Sequence, residues 1–387
     1  MKFTINQSVL SEVLVQVSKA VPVKATHPVL TCFRIEAEAS QGALAVTGFD
    51  LAMGVKTELS ANVIRGGTAA IPAKLLLDIV SRLPQGELTL ETDSEFLSVL
   101  TSSSGSYEVR GMNPKEYPDL PEISATQQIK FDPQTLVDGI KNTLFAVSPD
   151  EAKQVLHGVH FKIQGKILDL AATDGHRLSV VSIASEDLTE DSVFSATIPL
   201  RVMRELEKLL QRRTEPVAIH FSSEQVFVEI KNEDRKTRLT GRTLSGEYPR
   251  YRELIPPVFK LKLIVDRKSL LGSIERISVF AADKKDFACV FAVSEADQRI
   301  ALSTETQEIG HGREAIDVQV VGTDTTFAFN IRYLLDILRT AQSNEIVLHA
   351  NNPLSPVVFR PVGADGTIFL MMPKQLSGGN NESTKAN

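Results

Sequence analysis

Apolar and polar positions fall into an order that recurs along the chain. Met1-Lys2-Phe3-Thr4-Ile5-Asn6 alternates as a half-buried strand does, and from Leu10 the apolar spacing changes to helical period. The same change follows Ile129-Lys130-Phe131-Asp132, with a helical run from Leu136, and Leu261 to Asp266, with one from Leu270. Asn6, Asp132 and Asp266 each stand four positions before that leucine. There a side-chain oxygen can accept from a first-turn amide, and Pro133 suits a first helical turn. The pattern predicts strand, cap and helix three times.

Further elements recur in register. Leu44 to Asp50, Leu168 to Asp174 and Ile300 to Glu305 read as half-buried strands ending in an acidic turn. Ala70 to Ile79, Thr197 to Leu209 and Phe329 to Leu338 each carry a strand end into an amphipathic helix, with Pro72 and Pro199 at the start of two. Two strands follow in every case: Glu87 to Leu90 with Phe96 to Thr101, Val217 to Phe221 with Val226 to Ile230, and Glu345 to His349 with Val357 to Arg360. The first two copies close alike, on Glu116-Tyr117-Pro118 and Glu247-Tyr248-Pro249. A chain of 387 residues is thus predicted to be α+β, three copies of one domain, each built from two βαβββ units. The expected domains are 1–125, 126–256 and 257–376, followed by a polar, disordered tail at 377–387.

Composition narrows the chemistry. The profile is 42% apolar and 23% charged, with no tryptophan, as in ordinary globular proteins. No stretch is apolar enough for a membrane span or a signal peptide, so a cytoplasmic protein without membrane partners is expected. Cys32 and Cys289 lie far apart in apolar runs and are expected to be buried thiols. Phosphate-binding, dinucleotide, nucleophile-elbow and metalloprotease motifs are all lacking. His157 and His160 are three apart, which on a strand would put them on opposite faces. Asp50, Asp174 and Glu305 hold equivalent repeat positions and read as turn caps rather than as an acid/base pair. No catalytic residue, metal or cofactor is expected.

A net charge of −6 argues against a nucleic-acid ligand until its distribution is examined. The six predicted helices, Ser8–Lys24, Pro72–Pro84, Gln134–Ser148, Pro199–Arg213, Asp266–Lys285 and Asn330–Gln342, together carry +8, leaving −14 for everything else. Gathered on one surface, such helices would attract phosphates without reading bases. Arg212 and Arg213 also suit a helix C-terminus.

Repeats, helix charge and local strings together resemble the beta subunit of bacterial DNA polymerase III, the sliding clamp family. The strongest strings are Ala172-Thr173-Asp174-Gly175-His176-Arg177-Leu178, the Gly246 to Pro257 segment, and Met371-Met372-Pro373 with Leu376. The resemblance implies three domains of one fold per protomer and two protomers head to tail in a ring, helices inside and sheet outside. It further implies encirclement of double-stranded DNA without sequence preference, and tethering of the replicative polymerase alpha subunit, with the clamp loader and repair proteins as other partners. An interaction scaffold that does not enclose DNA is the alternative reading.

Residue roles follow from the resemblance at matching positions. A peptide-binding cleft is expected from Leu156, Thr173, Gly175, His176, Arg177, Leu178, Pro249, Leu254, Leu354, Pro356, Leu370, Met371, Met372 and Pro373. The expected DNA-facing residues are Lys24 and Lys153, at positions that match the family, with Lys74, Arg82, Arg201, Arg204 and Lys208 of the positively charged predicted helices. Ser104 and Ser106 replace basic residues of relatives at the protomer interface, which is therefore expected to rely on Tyr107, Val279 and Phe280. Glu253 likewise stands where relatives have a basic residue.

Overall fold

The computed structural model describes residues 1–121, 127–211, 213–222, 224–232, 234–281, 288–306 and 310–375. The expected tail, Leu376 and Arg212 lie outside the described residues.

Three runs of elements repeat the predicted order. The first is β1 (Lys2–Asn6), α1 (Gln7–Val17), β2 (Cys32–Glu38), β3 (Ala43–Phe49), β4 (Met53–Ser60), a short β5 (Asn62–Arg65), β6 (Gly67–Pro72), α2 (Ala73–Val80), β7 (Glu87–Thr92), β8 (Leu97–Ser102) and β9 (Gly105–Arg110). The second is β10 (Gln127–Phe131), α3 (Pro133–Leu144), β11 (Gly158–Gln164), β12 (Ile167–Thr173), β13 (Arg177–Ala184), β14 (Val193–Pro199), α4 (Leu200–Leu210), β15 (Val217–Phe221), β16 (Gln225–Lys231) and β17 (Arg235–Arg242). The third is β18 (Leu261–Asp266), α5 (Arg267–Ser278), β19 (Ala288–Ser294), β20 (Arg299–Thr306), β21 (Gly310–Asp317), a short β22 (Gln319–Val321), β23 (Thr325–Asn330), α6 (Ile331–Thr340), β24 (Glu345–Ala350), β25 (Val357–Pro361) and β26 (Thr367–Met371). Each run is two βαβββ units, as the sequence predicts.

Within a copy the two units exchange their leading strands. β1 pairs with β7, while β6 pairs with β2. Copy three does the same through β18–β24 and β23–β19. Consecutive copies are then joined by antiparallel strand pairs, β4 with β17 and β13 with β26.

The chain forms two compact units, Met1–Gln134 with Arg201–Leu244, and Thr135–Leu200 with Ser245 onward. The first holds a five-stranded sheet, β5-β1-β7-β8-β9, and an eight-stranded one, β10-β15-β16-β17-β4-β3-β2-β6. The second holds a nine-stranded sheet, β14-β11-β12-β13-β26-β25-β24-β18-β22, and a four-stranded one, β21-β20-β19-β23.

Local chemistry accounts for the helix starts. The Asn6 side chain accepts from the Ser8 amide at 3.0 Å and that of Asp266 from the Ser269 amide at 2.7 Å. Asn330 caps α6 in the same way through the amides of Arg332 and Tyr333. Pro133 opens α3, whereas Pro72 and Pro199 end strands one residue before their helices. The buried face of α4 is Val202, Met203, Leu206 and Leu210, an amphipathic helix seated on β17, where a Cβ on Gly241 would stand 2.7 Å from the Val202 side chain.

Helix ends differ from the prediction. α1 stops at Val17 and tightens into one 3-10 turn, Ser18–Ala20, because Val21 precedes Pro22 and is pushed to extended backbone at φ −95°. Lys24 therefore lies beyond the helix, and Arg82 follows the end of α2 in the same way. The described helices, with the single turns Ser18–Ala20 and Val279–Ala281, carry +4 rather than +8, with Lys24, Arg82 and Arg213 lying past the described helix ends. Glu305 does not end its strand, since β20 continues through Thr306 and pairs Glu305 with His311.

Candidate binding groove

The second unit brings most of the expected cleft residues together around one turn. After β12 the chain makes a tight loop in which Asp174 Oδ1 accepts from the amides of His176 at 2.9 Å and Arg177 at 3.1 Å. Thr173 Oγ1 donates to the Arg177 carbonyl at 2.6 Å and accepts from the Gly175 amide at 3.1 Å. Gly175 has φ +95°, which disfavours any side chain there. The turn-capping role expected of Asp174 holds, and it holds for Asp50, which accepts from Ala52 and Met53 in copy one.

The loop is fastened to copy three. Leu178 pairs with Leu370 and Arg177 with Met371 along the β13–β26 ladder, and the Met372 amide donates to the His176 carbonyl at 2.9 Å. Strand alternation sends Met371 into the core, fully buried, and leaves Met372 41% exposed, so only one of the two expected methionines offers its side chain to a ligand. Leu178 and Leu370 are buried as well and form an apolar floor with Ala171, Val180, Tyr248, Tyr251 and Val358. Val155 and Leu156 pack half-buried against this floor.

An open groove of about 450 Å³ lies alongside, between Ala152–Leu156 on one side and Ser245, Gly246 and Pro249 on the other. Leu254 and Leu354 are exposed at 49% and 58%, and Pro356 immediately precedes β25. The groove is thus an apolar surface with few polar groups, the character of a site for peptide side chains.

Arg177 is held by partners within the protein. Its Nε donates to Asp174 at 3.0 Å, its Nη1 donates to Asp336, and the guanidinium carbon lies 4.4 Å from the Tyr333 ring centroid and 5.3 Å from that of Phe145. It is nearly buried, and so shapes the loop that presents Gly175 and His176. Tyr333, Asp336 and Phe145 escaped sequence reasoning, because nothing local marks two residues of α6 more than a hundred positions away, or a residue just past α3, as partners of this turn.

The seven expected basic residues are all exposed. Arg201 is engaged, donating to Asp50 at 2.7 Å and to the Lys19 carbonyl at 3.0 Å, and so ties α4 to the end of β3. Arg82 pairs with Asp78 and Lys208 with Glu205, and Lys153 donates to the Asp174 carbonyl at 3.2 Å. Among the described residues Lys24, Lys74 and Arg204 make no ion pair. Tyr107 is exposed on β9, the last strand of its sheet, and Val279 is 70% exposed beyond α5. The Phe280 ring covers Gly312 of β21, the last strand of the four-stranded sheet.

His157 lies before β11 with its Nδ1 2.8 Å from the Ser148 carbonyl, whereas the His160 nitrogens meet the Thr197 and Ser195 hydroxyls. The His160 ring stacks on Tyr248 at 4.4 Å, and burial, reinforced by Lys162, lowers its pKa to about 4. No cluster of three metal-ligating side chains occurs among the described residues, and no described helix is long and apolar enough to cross a membrane.

Three α+β copies joined edge to edge by antiparallel strands, with a peptide-sized apolar groove beside one joint, define a processivity clamp. Family models for the N-terminal, central and C-terminal domains of the DNA polymerase III beta subunit match residues 1–121, 130–250 and 252–375. The beta sliding clamp of Synechococcus elongatus is 40% identical over 377 residues, 97% of this chain and 100% of that one. That of Synechocystis is 39% identical over 97% of this chain and 100% of its own. The crystal structure of the Bacillus subtilis DNA polymerase sliding clamp superposes with a TM-score of 0.90 at 28% identity, covering 97% of this chain and 99% of that one. The chain belongs to the DNA polymerase III beta subunit family, the bacterial sliding clamps. It acts in DNA replication as a non-catalytic processivity factor, with DNA and polymerase as its partners.

Proposed function

We propose that two copies of the chain close head to tail around duplex DNA and slide along it while the groove holds the polymerase alpha subunit. The observation that carries this reading is a pair of open sheet edges. β9 and β21 each end a sheet, and among the described residues neither has a strand on its outer side. Tyr107 on β9 would meet Val279 and Phe280 beside β21 of a second copy, continuing one sheet into the next. Lys24, Lys74 and Arg204, without an ion pair among the described residues, are the cations best placed to face phosphates, with Arg82, Lys153, Arg201 and Lys208 adding to the field. Encirclement needs no tight phosphate contact, and a weak, salt-screened surface favours sliding.

The domain limits follow as 1–125, 126–256 and 257–376. Clamp loader and repair proteins share the groove by inserting apolar side chains between Leu156 and Pro249, over Met372 and Pro373. The protein then resides in the cytoplasm, on the nucleoid. The test is loading onto nicked circular DNA: the complex should survive high salt and be released when the circle is linearised. Equal loss from circles and linear DNA defeats encirclement, and a strict monomer at micromolar concentration defeats closure.

A further inference from the structure

One wall of the groove is carried by a segment that is tied down from behind by a buried carboxylate. Asp169 on β12 is 5% exposed. Its Oδ2 accepts from the Tyr251 hydroxyl at 2.9 Å and Arg252 Nε at 2.8 Å, and its Oδ1 from Arg252 Nη2 at 2.6 Å and the Ser182 hydroxyl at 2.7 Å. Both oxygens are thus doubly occupied. Three residues earlier on the same segment, Tyr248 stacks on His160 and donates to the Ala171 carbonyl at 3.5 Å. Pro249, which lines the groove, sits between these two anchors.

Copy one supplies the comparison. Ala45 precedes Asp50 by five residues, as Asp169 precedes Asp174, and Leu120 and Pro121 follow Tyr117 at the spacing at which Tyr251 and Arg252 follow Tyr248. The carboxylate, phenol and guanidinium are therefore all missing there. Leu120 instead drops onto the sheet, where a Cβ on Gly54 would meet its Cδ2 at 2.4 Å. Val29 and Leu30, which hold the places of Val155 and Leu156, are buried at 4% and 2%. There the segment is tied instead through Asp119, which accepts from Arg34 at 2.6 Å, and it lies closed; where Asp169 holds it, it borders an open groove.

We infer that Asp169 is a positioning residue of the groove: by holding Tyr251 and Arg252 it sets the place of Pro249, and hence the affinity for an apolar peptide that it never touches. The inference rests on the peptide-binding reading of the groove. It is tested in the full-length protein with a short fluorescein-labelled peptide bearing leucine and phenylalanine anchors. Affinity, melting temperature and hydrogen exchange of the amides from Ser245 to Leu254 are measured for Asp169→Asn, Arg252→Gln and Arg252→Lys, with Ile183→Val as a core substitution on the neighbouring strand. Asp169→Asn and Arg252→Gln should weaken the peptide about tenfold, equivalent to the loss of one charge-assisted hydrogen bond, and speed exchange across the segment. Arg252→Lys, which keeps the charge, should recover part of the affinity, while Ile183→Val should lower the melting temperature and leave the affinity unchanged. Affinity within twofold of wild type in Asp169→Asn overturns the inference, as does a loss that tracks melting temperature across all four variants. Absence of binding by the wild-type protein defeats the groove reading itself, a result distinct from tight wild-type binding that the substitutions leave unchanged.

Discussion

Arg177 lies over the ring of Tyr333, its guanidinium carbon 4.4 Å from the ring centroid, while its nitrogens reach Asp174 and Asp336. A strand-end residue of copy two is thereby locked to a helix of copy three by stacking and by two carboxylates at once. Lysine offers a point charge without the planar fork, so Arg177→Lys should behave as a disruptive change. Arg177→Ala leaves Asp174 buried without its partner and should cost about 3 kcal/mol in urea unfolding. Both variants should also lose peptide capture, because the loop bearing His176 is no longer held.

The two neighbouring methionines should separate stability from binding. Met371→Ala removes a fully buried side chain from the copy-three core and should cost about 2–5 kcal/mol. Met372→Ala, and Met372→Ala with Pro373→Ala, should leave the unfolding midpoint within experimental error yet abolish capture of an apolar peptide. Parallel denaturation and fluorescence-anisotropy measurements distinguish the two outcomes.

His160 gives the stability a defined acid dependence. It is buried against Tyr248 and Tyr251, with Thr197 and Ser195 hydroxyls on its two nitrogens, Lys162 lowering and Asp169 raising its proton affinity. The folded protein holds the ring neutral down to about pH 4, whereas the unfolded chain binds the proton near 6.5. The contribution is therefore intact above the unfolded value and is lost as the pH falls from 6.5 to 4, by at most about 3 kcal/mol. His160→Phe should flatten that window in pH-dependent unfolding; an unchanged slope would refute the assignment.

The thiols should be silent in the native state. Burial raises Cys32 to about 11 and Cys289 to about 12, and both are free and buried. Ellman's reagent at neutral pH should label neither until denaturant is added, when both should react.

Much of the fold was legible because the repeat supplied its own control. A strand, a cap and a helical run at Asn6 could be checked against Asp266, and the structure shows both residues capping through their side chains. Helix ends were less legible, since a periodic pattern continues past the last hydrogen bond. Val21 before Pro22 was the local signal for the first of them. In the groove, sequence strings located Thr173 to Leu178 and Met372, whose roles are set by local turn and strand geometry. The supports of those residues were hidden. Asp169 stands as a lone acid among apolar strand residues, a hint that a buried partner must exist, but only the fold brings Arg252 to it.

The acidic turn at Asp50 and the one at Asp174 are a single hydrogen-bonded device inherited twice. One holds Arg201 of α4, and the other holds Arg177, which reaches Tyr333 and Asp336 of α6. The copy at Asp50 carries Leu51 at φ 72°, a conformation costly for leucine, where the copy at Asp174 carries glycine. The duplicated turn thus carries backbone strain in the copy whose neighbouring segment lies closed, and glycine relaxes it in the copy that borders the groove.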